Sequence, residues 1–362
     1  MSQHSVRLKE VLEGIKPVDS AAIEQAANHL DQLTKPPGSL GRLEEVARQL
    51  AGIYGELMPD LGRKAVIVMA GDHGVCEEGV SAFPAEVTPQ MVLNFLNGGA
   101  AVNVLARHAG ADVVCVDIGV NAELSHPQLR GRKIRRGTAN LAKGPAMTRE
   151  EAEAAVLVGV ELVEELAAEG CKLLATGEMG IGNTTASAAL LMALGGADAE
   201  SAAGRGTGID DRRLEHKQAV IRRALEVNRP DPEDPMDALA KVGGLEIAGL
   251  VGVILGAARH RLPVVIDGFI SSAAALVASQ LAPASAGYMI ASHLSQEKGH
   301  GRLLSEIGLQ PMLHMDMRLG EGTGAVLAFH LIEAAVKIMK EMATFSSAGV
   351  SGAVESGEGA GV

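Results

Sequence analysis

Aromatic side chains are scarce in this 362-residue chain, which has no Trp, 2 Tyr and 5 Phe. A core of normal density must therefore be assembled from Ala, Val, Leu and Ile, with the 14 Met residues filling irregular gaps. Cationic charge is also in short supply, 32 Lys plus Arg against 44 Asp plus Glu, a net charge of −12. No basic stripe with interleaved aromatics is present, so nucleic acid is not an expected partner. Cysteine is limited to Cys76, Cys115 and Cys171, far apart and without C-x-x-C spacing, which excludes a disulfide framework and a structural zinc site and fits a reducing cytoplasm. The N-terminal MSQHSVRLKEVLEGIKP has no continuous apolar run of the kind a secretory signal needs. Residues 268–296 lack Asp, Glu, Lys and Arg, yet their Gly, Ala, Ser and Pro content reads as a buried helix (Ile270–Leu281), a turn and a buried strand (Tyr288–Ala291) rather than a membrane span. No H-x-x-x-H or H-E-x-x-H spacing exists, so no metal is expected, although Asp72 and His73 together make one conceivable.

What is present is a recurring pattern. Short apolar runs at Ala65–Ala70, Val113–Ile118, Leu173–Thr176, Val264–Ile266 and Tyr288–Ala291 alternate with helical periodicity, as at Ala85–His108, Arg149–Glu169 and Glu246–His260. Strands apolar on both faces, separated by helices, predict an α/β fold with a mainly parallel sheet covered by helices on both faces. The ends differ. Residues 1–60 read as helical, interrupted at Pro36, Pro37 and Gly38, and a long helix is expected from about Thr323 to Met342. These predict a small all-helical domain built from both termini (1–60 and 321–345) around an α/β domain (61–320), with residues 346–362 a flexible Gly/Ser/Ala-rich tail.

Ligands of such sheets bind beyond the carboxyl ends of the strands. There the chain has Gly71-Asp72-His73-Gly74, Gly119, Gly177-Glu178, Asp267-Gly268 and Ser292-His293. The segment Thr176-Gly177-Glu178-Met179-Gly180-Ile181-Gly182-Asn183-Thr184-Thr185 is a strand end, a glycine-rich turn and a helix start. Unpaired first-turn amides and the positive end of the helix dipole can hold a phosphate without lysine. The turn has neither the P-loop Gly-Lys-Ser/Thr nor the dinucleotide spacing G-x-G-x-x-G, so a nucleoside monophosphate fits it better. The competing reading is a tight turn whose Asn and Thr only cap the helix. Gly204-Arg205-Gly206-Thr207-Gly208 either adds amides to the same phosphate or is a plain loop, with Asp210 or Asp211 capping the next helix and Lys217 on a solvated face. Glu321, between Gly320 and Gly322, is either a general base reaching into a cleft or a carboxylate satisfying a helix start. Helix proximity would lower its pKa and burial would raise it.

Nine segments in order, KPPGSLGRLE (from Lys35), AGDHGV, EGVSAFPAEVT, GPAMTREEAE, TGEMGIGNTT, KVGGLEIAGLVGVILGAAR, DGFISSAAAL, SHLSQEKGH and RLGEGTGA (to Ala325), resemble the nicotinate-nucleotide:dimethylbenzimidazole phosphoribosyltransferases of the cobalamin lower-ligand pathway. The resemblance implies a Rossmann-like α/β architecture and a homodimer. It also implies transfer of 5-phosphoribose from nicotinate mononucleotide to 5,6-dimethylbenzimidazole, with no cofactor. By the same motif matching, Glu321 is the implied base, and Glu178 and Lys217 support binding or catalysis. Gly180, Gly182, Asn183, Thr184, Thr185, Gly204, Gly206 and Ser292 are the implied phosphate and ribose cradle. Met179, Leu319 and Gly320, with Pro37, Phe83 and Met91, are expected around the flat base. Two other readings stand beside it: a catalytically silent nucleotide-binding module, and a nicotinamide-dependent oxidoreductase, which lacks its fingerprint glycines here.

Overall fold

The structure is a computed structural model that describes residues 2–206 and 208–351. Six strands form one sheet: β1 (Arg63–Gly71), β2 (Asp112–Gly119), β3 (Arg130–Gly131), β4 (Cys171–Met179), β5 (Val264–Ile266) and β6 (Met289–Ala291). Their order is β3-β2-β1-β4-β5-β6 and every pairing is parallel. Ala65 through Gly71 of β1 are buried without a break, so successive side chains find cover on both faces of the sheet. The order reverses direction between β1 and β4, and at such a switch point the outgoing loops diverge and leave a crevice.

Two compact units are present. The larger holds the chain up to Val18 and Leu61–His330, and the smaller holds Asp19–Asp60 and the chain from Leu331 onward. The boundary expected at 60/61 is therefore kept, a further one falls at 18/19, and the one expected at 320/321 lies at 330/331. The first helix, Gln3–Gly14, joins the larger unit, where Ser5 Oγ donates to Glu153 at 2.6 Å and Leu8 and Val11 are buried. In the smaller unit, Ser20–Gln32 and Arg42–Tyr54 pack through Leu30, Leu50 and Ile53, and Lys35 Nζ pairs with Glu44 at 2.8 Å. The last long helix, Thr323–Glu341, begins in the larger unit and ends in the smaller.

Other departures have local causes. The expected helix Ala85–His108 is two helices, Val87–Leu96 and Ala101–Ala109, because Gly98 takes φ +75° between them. The strand β3 is only two residues long and has no apolar run to announce it. Residues Phe345–Ala348 form a capped helical turn, Thr344 Oγ1 accepting from Ser347 N, so the tail expected to be flexible begins with order. Residues 352–362, the rest of that tail, lie outside the described residues. Among the described residues no helix is long and apolar enough to cross a membrane.

The sheet is backed by helix Leu245–Arg259, which is buried almost throughout and packs on Arg149–Ala168 at backbone distance. A β-carbon at Gly252 would overlap the Val156 carbonyl oxygen, and one at Gly159 would overlap that of Gly249. Backbone has little freedom to retreat, so Gly252→Ala is expected to cost about 3 kcal/mol, at the upper end of overpacking penalties. Denaturant unfolding checks this, and a loss within about 0.5 kcal/mol, the scale of an ordinary surface change, would show that the helices can separate cheaply.

Candidate active site

The parallel strands deliver their carboxyl ends to one edge, where a cavity of about 500 Å³ opens. Glu178 and the turn Gly180–Asn183 follow from β4, Asp267 follows β5, His293 follows β6, and Arg318–Glu321 lead into helix Thr323–Glu341. The turn crosses the end of β1 in contact, since a β-carbon at Gly180 would overlap the Gly71 carbonyl oxygen. Gly182 takes φ +97° at the start of helix Asn183–Gly195, a conformation open to glycine, and no side chain caps that helix. Neither the Asn nor the Thr of the motif is used as the cap that the competing reading required.

Glu321 has φ +63°, between Gly320 at +85° and Gly322 at +96°. A non-glycine residue in this region carries roughly 1–3 kcal/mol of strain that its surroundings must hold. Here they do. Asp267 Oδ2 accepts from Gly322 N at 3.2 Å and Oδ1 from Ala325 N at 3.0 Å, while Thr323 Oγ1 donates to the Gly320 carbonyl at 2.8 Å. Glu178 Oε1 accepts from Glu321 N at 3.4 Å and leaves no room for a side chain at residue 320. Asp267, reaching in from another strand, thus occupies the helix start that sequence position alone would give to Glu321. The Glu321 carboxylate instead lies in the cavity wall, accepting from Val102 N at 3.4 Å.

This arrangement decides the direction of its pKa. Burial pushes Glu321 above its ordinary value; the Val102 N–H opposes and the Asp267 charge adds to the rise. Burial likewise pushes Glu178 up to about 8, helped by the charges of Glu246 and Asp267 against hydrogen bonds from Glu321 N and the Asn183 amide. Asp267 is raised by burial, against His293 and its backbone donors. Lys217 is fully buried, not on a solvated face, and its ammonium donates to Thr184 Oγ1 at 2.8 Å and the Gly204 carbonyl at 3.2 Å. Burial pulls it down to about 8, opposed by Glu297.

Of the expected site residues, Glu178, Met179, Gly180, Gly182, Asn183, Thr184, Gly206, Leu319, Gly320, Glu321, Phe83 and Met91 line the cavity. Phe83 and Leu319 are exposed at 52% and 59%, which leaves apolar surface at the mouth. Four expected residues sit behind the wall. Thr185 is buried in the helix, Lys217 and Gly204 brace Thr184 and the Gly206 loop, and Ser292 gives its hydroxyl to the carbonyls of Ile266 and Asp267 at 2.8 and 3.2 Å. Ser292 is therefore spent on joining β5 to β6 rather than turned toward a ligand. Pro37 lies on an exposed turn of the smaller unit and is not part of the lining. Sequence reasoning gave no role to Asp267, His293, Glu297 or Arg318, all of which line the cavity. Asp267 and His293 do stand directly after strands, the signal that singled out Glu178. Arg318 Nη1 donates to the Gly206 carbonyl at 3.2 Å, tying the two glycine loops together. Asp72 and His73 are turned to other partners, Asn121 N and Glu246, and among the described residues no group of three or more His, Cys, Asp or Glu could hold a metal ion.

Against known proteins, the phosphoribosyltransferase family profile matches residues 15–350. The nicotinate-nucleotide–dimethylbenzimidazole phosphoribosyltransferase of Chloroflexus aggregans is 59% identical over 345 residues, covering 95% of this chain and 98% of that protein. That of Geobacter sp. strain M21 is 57% identical over 345 residues, covering 95% and 99%. The crystal structure of CobT from Thermus thermophilus superposes with a TM-score of 0.88 at 52% identity, covering 91% of this chain and 99% of that one. The chain belongs to the nicotinate-nucleotide–dimethylbenzimidazole phosphoribosyltransferase family and is a pentosyltransferase.

Proposed function

We propose that this enzyme moves the 5-phosphoribosyl group of nicotinate mononucleotide to 5,6-dimethylbenzimidazole, forming α-ribazole 5′-phosphate and nicotinate for the nucleotide loop of cobalamin, with Glu321 as general base. The observation that carries this reading is the Glu321 carboxylate itself, in a cavity wall, held in a left-handed turn and raised in pKa by burial. A base with a raised pKa takes a proton more effectively, so long as it is ionised when substrate binds. One benzimidazole nitrogen attacks C1′ with its lone pair, from the face opposite nicotinate. The bond to the pyridinium nitrogen breaks and its electron pair neutralises that ring. The proton on the second benzimidazole nitrogen passes to Glu321. A β-configured donor thereby becomes an α product, and the donor's own positive charge makes the leaving group good without external activation.

The electrostatics support the same chemistry. Glu178, Asp267, Glu297 and Glu321 line the cavity, so positive charge spreading over the ribose as the bond breaks meets carboxyl oxygens held in place. The donor phosphate is assigned to the turn from Gly180 to Thr184 and the loop at Gly206, which line the cavity, with Lys217 bracing Thr184 and the Gly204 carbonyl from behind. The flat base is assigned to the apolar side of the cavity formed by Phe83, Met91, Met179 and Leu319. We further read the smaller unit as a helical domain made from both parts of the chain, and the enzyme as a cytoplasmic homodimer with helices on both faces of its sheet.

Incubation of the protein with nicotinate mononucleotide and dimethylbenzimidazole, with mass analysis of products, tests the assignment. Nicotinate and α-ribazole 5′-phosphate should appear together, whereas tight binding of both substrates with no nicotinate released would leave only a silent binding module. Glu321→Gln should keep donor affinity within a few-fold while turnover falls by about 10² or more, and undiminished turnover would remove Glu321 from the base role. At Gly182 a β-carbon would approach Cys76 Sγ at 2.9 Å from an unfavourable φ. Gly182→Ala should therefore raise KM for nicotinate mononucleotide about tenfold and leave that for nicotinate riboside nearly unchanged. Equal losses for both donors would contradict a phosphate at this turn.

A further inference from the structure

The Gly180–Gly182 turn rests on a buried pair that the reaction as written does not use. His73 follows β1 and Glu246 opens helix Leu245–Arg259. Their Nε2 and Oε1 atoms are 2.6 Å apart, and neither side chain has any solvent exposure. Three glycines make room for the ring. A β-carbon at Gly180 would sit 3.3 Å from both Nε2 and Oε1, one at Gly182 would sit 3.3 Å from His73 Cβ, and one at Gly244 would overlap the imidazole. His73 Nδ1 and Glu246 Oε2 find no hydrogen-bond partner among the described residues.

Packing alone does not account for such a pair. Removing two charges from water costs several kcal/mol per ion, and apolar replacements of similar volume are often as stable or more so. The groups facing the imidazole are Asp72 on its own loop and Glu246 on the helix. Glu178, at the end of β4, feels the charge of Glu246, and Cys76 lies across Gly182. Burial disfavours the protonated ring, but the charge and hydrogen bond of Glu246, with the charge of Asp72, more than offset it and hold His73 above its ordinary pKa. Thr88 completes the support, its hydroxyl accepting from Ile181 N at 3.1 Å in the middle of the turn.

We propose that His73, held by Glu246, is a positioning residue for the phosphoryl end of the donor: the pair fixes the Gly180–Gly182 turn from behind, so that its backbone receives the phosphate in one geometry. This rests on the assignment of the donor phosphate to that turn. The ring touches no reacting atom. Its effect belongs in donor binding, not in the chemical step.

Steady-state kinetics of the full-length enzyme provide the test. His73→Ala should raise KM for nicotinate mononucleotide about tenfold, with KM for dimethylbenzimidazole and for the phosphate-free nicotinate riboside held within about twofold. His73→Gln, which keeps a donor for Glu246, should recover most of the loss. Glu246→Gln should resemble His73→Ala, and the double variant should be no more than about twofold worse than either, since the two act as one unit. A KM for the mononucleotide within about twofold of wild type, or an equal rise for the riboside, would overturn the proposal. Should the variants not fold, nitrogen-15 histidine NMR of the wild type decides. The His73 ring signals should move on saturation with inorganic phosphate, and signals that stay fixed would overturn it. The Gly182→Ala measurement separates the two layers. If that variant treats mononucleotide and riboside alike, the phosphate assignment fails and this role with it. If it discriminates and the His73 variants do not, only the positioning role is lost.

Discussion

Asp267 at the head of helix Thr323–Glu341 is the contact on which the rest of the site depends. Its carboxylate takes the amides of Gly322 and Ala325, which any helix start must satisfy somehow, and it does so from the end of β5. Two consequences follow. The loop before the helix is pinned to the sheet, where Gly177 of β4 allows the Glu321 carbonyl to approach in contact. Glu321 is also relieved of capping its own helix, and its carboxylate faces the cavity, where it accepts from Val102 N in the first turn of helix Ala101–Ala109. Hydrogen bonds to a charged group are worth about 1.5–3 kcal/mol each, enough for two of them to hold a left-handed residue costing roughly 1–3 kcal/mol.

The same crowding sets the charge of the cavity. Burial, together with the charges of Glu246 and Asp267, pushes Glu178 up to about 8, which favours its protonated form at neutral pH. A protonated Glu178 still accepts from Glu321 N and Asn183 through its oxygens and has a proton of its own to donate. The cavity is therefore less negative than its composition suggests. The turn at Gly180–Gly182 and Thr184 line the same cavity, while Lys217 braces Thr184 from behind the wall.

Much of this was legible in the sequence, and for a definite reason. Strands buried on both faces must be apolar at every position, so β1, β2, β4, β5 and β6 stand out, and a parallel sheet sends everything that follows them to one edge. Glu178 and the glycine turn could be placed at that edge because they come at the end of a strand run, whereas Glu321 follows no strand and is marked only by its flanking glycines and by the resemblance of RLGEGTGA. The two-residue β3 has no such signature. The burial of Lys217 is hidden in a charged stretch, DRRLEHKQ, that reads as solvated and is covered only when Thr184 and Gly204 fold over it. Asp267 is the instructive omission. Its position after β5 was visible, but its work is done on amides 55 and 58 residues away, and no local pattern states which helix a strand end will cap. The outcome of the contest over the Glu321 pKa was hidden for the same reason, since it turns on Asp267 taking the place that the helix start offered.

The most direct measurement is a carbon-13 carboxyl NMR titration of the wild-type enzyme, with the Glu321 resonance assigned by its disappearance in Glu321→Gln. The account predicts a midpoint above the ordinary glutamate value of 4.5. A midpoint at or below that value would mean that a helix start, not burial, governs the carboxylate, and it would contradict the release of Glu321 by Asp267 from capping its own helix.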